Sequence, residues 1–113
     1  MSTDAAIDPH TFDELQANAG ADFVAELVDT FGVEAPPLIA EMRGALAASA
    51  AERFRRAAHS LKSNSSTFGA TRLAAMAREL ELNGMGAANS DAVDALAREF
   101  ETTLAALQAM ARP

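Results

Sequence analysis

The sequence predicts an all-α fold: an antiparallel four-helix bundle with a short additional helix at its N-terminal end. Its 113 residues suit one domain with one hydrophobic core. Ala and Leu dominate the apolar half of the composition and aromatic residues contribute only 5%, a balance that favours helices over strands. Apolar residues recur at helical spacing through most of the chain. The connections between these stretches are short, which favours antiparallel neighbours.

The first helix is predicted over about 11–18. Thr11 can cap its N-terminus, and the Glu14 side chain can reach back to the same turn. Gly20 can end the helix. Residues 1–10 precede this start and are expected to form a flexible arm. The bundle domain is then predicted to span residues 11–113.

A second helix is predicted from Asp22, because apolar residues recur from there to Ala45 in a phase that stays constant across Pro36-Pro37. Prolines remove backbone hydrogen bonds to the preceding turn, so we expect a kink or a brief break near 32–35. The Ala-rich segment 47–51 can be interpreted as a linker. Helix propensity favours a continued helix or a tight corner there instead.

Three stretches of helical periodicity define the rest of the bundle. A third helix is predicted from Ala51 to about Thr67, and a fourth from Leu73 to a stop at Asn83-Gly84. The last helix continues to near the C-terminus and can be capped by Ser90 or Asp91. The predicted apolar side of the third helix consists of Phe54, Ala57, Ala58, Leu61 and Phe68.

Composition also excludes several classes of function. The absence of Cys rules out disulfides and thiolate metal sites, and it gives no reason to expect an oxidising compartment. The first ten residues do not resemble a signal peptide, and no apolar run approaches the roughly 18 residues of a membrane span. We therefore expect a cytoplasmic protein without a membrane partner. A net charge of −7 argues against binding nucleic acid.

The third helix carries a polar stripe opposite its apolar side, because residues three and four apart share a helix face. His59 lies within this stripe and is expected to be exposed. An exposed imidazole titrates near neutral pH, so one ring nitrogen is often free to attack phosphorus. The stripe consists of Glu52, Arg55, Arg56, His59, Lys62, Ser63 and Ser66.

Phosphoryl transfer depends mainly on positioning and on neutralising charge that is spread over three oxygens. Lys62 lies about one turn beyond His59 and can place its ammonium beside phosphoryl oxygens on the ring. A cationic face on an acidic protein would also suit an acidic partner. By itself, however, a surface histidine among cations is more often only part of a solvated helix face. Further hydroxyl donors and cations near His59 are Ser63, Ser66, Arg55 and Arg56.

The segment 58–73 contains a specific motif. It reads Ala-His-Ser-Leu-Lys-Ser, then a stretch of small residues, Phe68, Gly69 and Leu73, and it is followed by Leu80-Glu81. This pattern closely resembles the signature of the histidine-containing phosphotransfer (HPt) domain family, which runs Ala-His-x-Leu-Lys-Gly/Ser, small residues, Gly, Leu and a Leu-Glu pair. The resemblance extends to the bundle helices and covers about residues 20–110.

The resemblance implies roles for the matching residues. His59 matches the phosphoryl-accepting histidine, and Lys62 matches the lysine that stabilises the phosphorylated form. Gly69 matches a glycine at the start of the next helix, where a missing side chain keeps the turn tight and the surroundings of the histidine open. The sequence has Ser63 where many members of the family carry Gly. This difference affects the expected details of docking to the receiver domain.

The family consists of phosphoryl carriers rather than kinases, and the chain is too short to include an ATP-binding kinase domain. Its lone Gly84-Met85-Gly86 is better interpreted as a turn than as a nucleotide-binding loop. The expected function is therefore relay of a phosphoryl group between receiver-domain aspartates through phosphohistidine at His59, without autokinase activity.

The resemblance also predicts partners. These are receiver domains of response regulators and a hybrid sensor histidine kinase, which contact His59 and neighbouring residues of the second helix. Mg²⁺ is expected in the receiver and no cofactor in this chain, whose carboxylates are dispersed. We expect a monomer, and the Ala-rich composition suggests a bacterial protein.

Two alternatives remain open. The chain could be a helical adaptor that binds a response regulator without being phosphorylated, because a fold does not determine a function. It could also hold a metal or haem inside the bundle, but only His10 and His59 offer imidazole ligands.

Overall fold

The computed structural model describes residues 6–87 and 90–112, and every regular element in these ranges is an α-helix. The predicted all-α fold with an extra N-terminal helix is confirmed. The helices are α1 (Pro9–Ala19), α2 (Ala21–Ala48), α3 (Ala51–Thr67), α4 (Thr71–Ala87) and α5 (Ser90–Ala111).

The four long helices pack in a ring. α2 lies against α3 and α5, and α4 closes the ring against the same two helices. Each helix directs its apolar stripe inward, as an amphipathic helix must to remove that stripe from water. Phe31 of α2 lies within this core. The centroid of its ring is 5.2 Å from that of Phe68 and 5.5 Å from that of Phe100. Such tilted aromatic pairs contribute about 0.5–1.5 kcal/mol beyond their burial.

α1 begins earlier than the sequence predicts. Its N-cap is Asp8, whose carboxylate accepts hydrogen bonds from the His10 backbone N–H at 3.1 Å and from the Thr11 hydroxyl at 2.9 Å. Pro9 fits the first helical position because the N–H that proline lacks would have no helical partner there. The prediction that Thr11 caps the helix is therefore wrong, since Thr11 supports the cap from within the first turn. Gly20 ends the helix as predicted, with a φ of +95°.

The predicted arm, residues 1–10, lies partly outside the described residues. Ile7 is only 4% exposed, and the Asp8 backbone N–H donates to the carbonyl of Gly69 at 2.7 Å. Phe12 of α1 is 1% exposed in the same core. The chain is therefore packed against the bundle from Ile7 onward, four residues before the predicted start of the domain.

α2 runs without a break through Pro36 and Pro37, so of the kink or brief break expected near 32–35, the break is absent. Both prolines lie on the exposed side of the helix. Burial of one continuous stripe against α3 and α5 outweighs the loss of two backbone hydrogen bonds, each worth about 0.5–1.5 kcal/mol. The buried residues that continue across the prolines are Phe31, Ala35, Ile39 and Met42.

The Ala-rich segment after α2 forms a tight corner, one of the two structures that helix propensity favours. α2 ends at Ala48, and Ser49 adopts a left-handed conformation with a φ of +53°. α3 then starts at Ala51 and returns along α2. Arg53 near the start of α3 accordingly reaches Glu41 near the end of α2, with Nε 2.8 Å from Oε2.

α4 contains the predicted stop. Gly84 has φ +66° and ψ −169°, so the backbone leaves the helical conformation there before a short helical stretch continues to Ala87. Ser90 and Asp91 occupy the first turn of α5. Residues 88–89, which precede that turn, lie outside the described residues, so the predicted cap stays a prediction.

None of the helices in the described ranges combines the length and the apolar character that a membrane span requires. α2 and α5 are long enough, at 28 and 22 residues. Their outer faces, however, carry charged residues such as Asp22, Glu26, Arg98 and Glu101.

Candidate functional site

His59 is positioned by the two faces of α3. The buried side of this helix packs into the core, and His59 lies on the opposite side with 54% of its side chain exposed. The helical spacing predicted this exposure. The buried residues of α3 are Phe54, Ala57, Ala58, Leu61 and Ser65.

Glu81 joins His59 from the neighbouring helix. α4 packs beside α3 and places the Glu81 Oε2 atom 2.7 Å from the His59 Nδ1 atom. The Glu81 side chain is only 11% exposed, whereas the imidazole faces solvent. One edge of the ring is therefore anchored to the bundle while much of its surface stays accessible.

Lys62 approaches the same carboxylate. Its Nζ atom lies 3.2 Å from the Glu81 Oε1 atom, and 27% of the lysine side chain is exposed. Oε1 is buried and the ammonium is not aligned with it as a regular hydrogen bond, so the contact is an ion pair. Glu81 thus connects the two residues of the predicted site, His59 and Lys62.

The surroundings of Glu81 determine which His59 nitrogen carries the proton. Burial raises the pKa of the Glu81 carboxyl, but the hydrogen bond with His59 and the contact with Lys62 lower it by more, so its pKa lies below the ordinary glutamate value. An ionised carboxylate only accepts hydrogen bonds, so the Nδ1–H of His59 must be the donor. In the neutral ring, Nε2 then keeps the free lone pair.

Arg55 and Arg56 are less available than their positions in the sequence suggest. Arg55 forms an ion pair with Glu52 one turn earlier, with its Nε donating to Oε1 at 3.2 Å. Arg56 interacts electrostatically with Glu52 and with Glu41 of α2. Both arginines therefore have acidic neighbours in the described structure.

The predicted small and hydroxyl residues occupy different surroundings. Ser63 is exposed on the His59 side of α3, while Ser66 lies in a groove between α3 and α4 that Lys62 also lines. Gly69 forms the turn between these helices, with a φ of +75°. A Cβ atom there would lie 2.8 Å from the Cβ of Thr11, so the space that this glycine leaves is occupied by α1.

A second groove runs between α2 and α3. Its volume is about 140 Å³, and both apolar and polar side chains line it. Phe68 is 4% exposed and belongs mainly to the core. The residues that line this groove are Leu27, Thr30, Phe31, Glu34, Asn64, Thr67 and Phe68.

The alternative of a metal site finds no support in the described residues. No group of three or more His, Asp or Glu side chains there is arranged to hold a metal ion. The His10 side chain is 80% exposed, and its Nε2 atom lies 3.5 Å from the Glu14 Oε2 atom on α1. It belongs to a different helix from His59.

Glu81 is the candidate site residue that sequence reasoning missed. Leu80-Glu81 stood in the family pattern, yet 22 residues separate Glu81 from His59. Only the packing of α4 on α3 shows that the two side chains meet. The signal was thus present in the motif, but its chemical meaning depends on tertiary contacts.

Comparison with known protein families agrees with this fold. The family model of the Hpt domain matches residues 26–110, which is most of the chain, and the chain therefore belongs to the Hpt domain family. Hpt domains are phosphocarrier modules that take part in phosphorelays, where they interact with receiver domains and kinases of two-component systems. No curated protein and no solved structure matched the chain.

Proposed function

We propose that His59 accepts a phosphoryl group from an aspartate of one receiver domain and passes it to an aspartate of another. The observation that supports this most directly is the 2.7 Å contact between His59 Nδ1 and Glu81 Oε2. It orients the ring and leaves Nε2 as the nucleophile. The 54% exposure of the side chain gives a partner access to it.

The proposed transfer can be written with its bonds balanced. The Nε2 lone pair forms a bond to the phosphorus of an aspartyl phosphate, and the phosphorus–oxygen bond to the aspartate breaks. The aspartate leaves as a carboxylate with the electron pair of that bond. The phosphorylated ring is then a cation, which the Glu81 carboxylate stabilises through Nδ1–H. The reverse sequence delivers the group to the next aspartate.

Lys62 is proposed to neutralise charge on the phosphoryl oxygens. It lies near the ring because both residues contact Glu81. A cation placed where charge develops stabilises a phosphoryl transition state without reorganising. The Lys62 side chain is 27% exposed, and its ammonium would turn from Glu81 towards the phosphoryl group.

The partner is proposed to supply the remaining chemistry. A receiver domain contributes the aspartate and the Mg²⁺ that shields its phosphoryl group, and this chain needs no cofactor of its own. A hybrid sensor histidine kinase is the expected source of phosphoryl groups. We also propose that it has no autokinase activity, because Gly84-Met85-Gly86 lies at a helix end rather than in a nucleotide-binding loop. We further propose a cytoplasmic monomer.

The test is phosphorylation of the chain by a radiolabelled phospho-receiver, with His59→Gln as the variant and His10→Gln as the matched control. We expect wild type and His10→Gln to be labelled and His59→Gln to stay unlabelled. The label should be lost in acid and survive alkali, as a phosphoramidate bond does.

A His59→Gln protein that is labelled at the wild-type rate would overturn the proposal. A wild-type protein that binds the receiver equally well with and without phosphorylation, and takes no label, would identify the unphosphorylated adaptor instead.

A further inference from the structure

The groove between α3 and α4, hereafter the α3–α4 groove, begins beside the candidate site and runs towards the turn at Gly69. Its volume is about 300 Å³. Lys62 belongs both to this groove and to the ion pair with Glu81, so the groove is continuous with the site. Besides Gly69 of the turn, the residues that line it are Thr11 from α1, Lys62 and Ser66 from α3, and Thr71, Ala74, Ala75 and Arg78 from α4.

The charge of this groove differs from that of the chain as a whole. Among the described residues that line it, Lys62 and Arg78 are the ionisable ones and both are cations, whereas the chain carries a net charge of −7. Arg78 is exposed and forms no ion pair with any residue of the described ranges. Its guanidinium is therefore available to a carboxylate from another molecule, and the hydroxyls of Ser66 and Thr71 can donate to the same group.

We propose that the α3–α4 groove takes an acidic segment of the phospho-receiver, whose carboxylates pair with Arg78 and the nearby Lys62. This inference rests on the proposed function and names a second contact of the same partner. A domain that binds Mg²⁺ beside an aspartate must gather several carboxylates, so the rim of its active site is acidic. Charge complementarity then selects this groove and orients the partner over His59.

The α2–α3 groove does not offer the same complementarity. Within the described part of the chain, Glu34 is the one ionisable residue of its lining, and the other lining residues are apolar or neutral. An acidic segment would be repelled by Glu34 and would gain no cation there. Two grooves of different chemistry thus flank the third helix, and only the α3–α4 groove is suited to carboxylates.

The test compares Arg78→Glu with Arg98→Glu in the complete chain. Arg98 is an exposed arginine of α5, a helix that packs on α2 and α4, and its reversal changes the net charge by the same amount. Single-turnover transfer from a phospho-receiver is measured over a range of receiver concentrations and at several salt concentrations. Inorganic phosphate is titrated separately while the amide resonances of α4 are followed by NMR.

We expect Arg78→Glu to lower the transfer rate at low receiver concentration by about tenfold, with the rate at saturation within about twofold of wild type. The difference should shrink as salt increases, because exposed charges are screened. Arg98→Glu should transfer as wild type does. Arg78→Ala, a milder change, should give an intermediate loss.

Equal effects of Arg78→Glu and Arg98→Glu would overturn the proposal, since net charge alone would then explain them. So would phosphate shifts on α4 that vanish in Arg78→Glu while transfer from the receiver is unchanged, because the groove would then bind only free anions. Either result leaves labelling of wild type at His59 intact, whereas failure of that labelling would remove the proposed function itself.

Discussion

Glu81 derives its proposed role from where it lies. Its side chain is 11% exposed and contacts both His59 and Lys62 from the neighbouring helix. A carboxylate that is mostly removed from water interacts more strongly with its partners than an exposed one does. The hydrogen bond with His59 is one of the contacts that hold the pKa of the Glu81 carboxyl below its ordinary value, and an ionised carboxylate can accept it only from Nδ1–H.

Replacing Glu81 by Gln is expected to slow phosphoryl transfer by about 10–100-fold. The glutamine amide can donate as well as accept, so it no longer dictates which ring nitrogen carries the proton. Transfer rates from a phospho-receiver, together with ¹⁵N NMR of the His59 ring, measure both consequences. The NMR spectrum should show an increased share of the tautomer that is protonated at Nε2.

Glu79→Gln is the matched control for this change. Glu79 is an exposed glutamate of α4 two residues earlier, and its replacement removes the same charge. We expect it to leave both the rate and the tautomer unchanged. Wild-type transfer by Glu81→Gln with an unaltered tautomer would show that Glu81 only contributes to packing.

The turn between α3 and α4 connects three helices. Gly69 accepts a hydrogen bond from the Asp8 backbone N–H and lies directly against Thr11 of α1. The turn therefore needs a residue that tolerates a φ of +75° and also has no side chain. Both requirements follow from the packing of α1 against the end of the bundle.

Gly69→Ala should therefore destabilise the protein by more than the same substitution at a glycine whose only constraint is a positive φ. Gly20→Ala is the matched control, because Gly20 has a φ of +95° and a Cβ added there would meet no atom within 4 Å. We expect Gly69→Ala to exceed this control by about 1–3 kcal/mol, the usual cost of overpacking. Urea unfolding measures the difference.

Hydrogen exchange can then locate the effect of Gly69→Ala. Amides of α1 should exchange faster in this variant than in Gly20→Ala, since the clash involves Thr11 and the Asp8 carbonyl. Equal stability losses with equal exchange in α1 would show that only the backbone conformation of Gly69 matters.

Across the complete bundle, ion pairs join each pair of neighbouring helices around the ring. The pairs whose partners are both well exposed, Glu41–Arg53, Arg43–Asp94 and Asp29–Arg112, contribute little individually, and salt screens them. They nevertheless favour one arrangement of helices, because each pairs residues of opposite charge only in the observed register. The pairs are Glu41–Arg53, Lys62–Glu81, Arg72–Glu99, Arg43–Asp94 and Asp29–Arg112.

The Glu41–Arg53 pair predicts a dependence of stability on pH. Hydrogen bonds from Arg53 hold the pKa of the Glu41 carboxyl below its ordinary value. A carboxyl with a lowered pKa in the folded state stabilises the protein above its unfolded-state pKa, and this contribution is lost as the pH falls through the folded-state value. The loss is therefore expected below about pH 4.

Thermal unfolding of wild type and Glu41→Gln between pH 7 and pH 3 measures this contribution. We expect wild type to be the more stable at pH 7, and the difference to disappear as the pH falls below about 4. Glu79→Gln should show no comparable pH-dependent difference. A constant difference between wild type and Glu41→Gln across the whole range would contradict the assignment of the pair.

The pattern of residues along the chain was enough to predict the fold class and the residue that is proposed to carry the phosphoryl group. Periodicity of apolar residues predicted the boundaries of α3 and the inward stripe of each long helix, because an amphipathic helix can bury only one face. The exposure of His59 followed from the same periodicity. These features depend on local spacing, which a single sequence displays directly.

Packing between helices set the remaining features. It kept α2 continuous through Pro36-Pro37, since burial of one stripe outweighs two lost hydrogen bonds. It also placed Ile7, a residue of the predicted arm, in the core. It also brought Glu81 to His59 across 22 residues of sequence. Local spacing predicts which side chains each helix buries and which it exposes. Contacts between helices depend instead on how their faces pack, and the proposed chemistry of this site depends on the contact between α3 and α4.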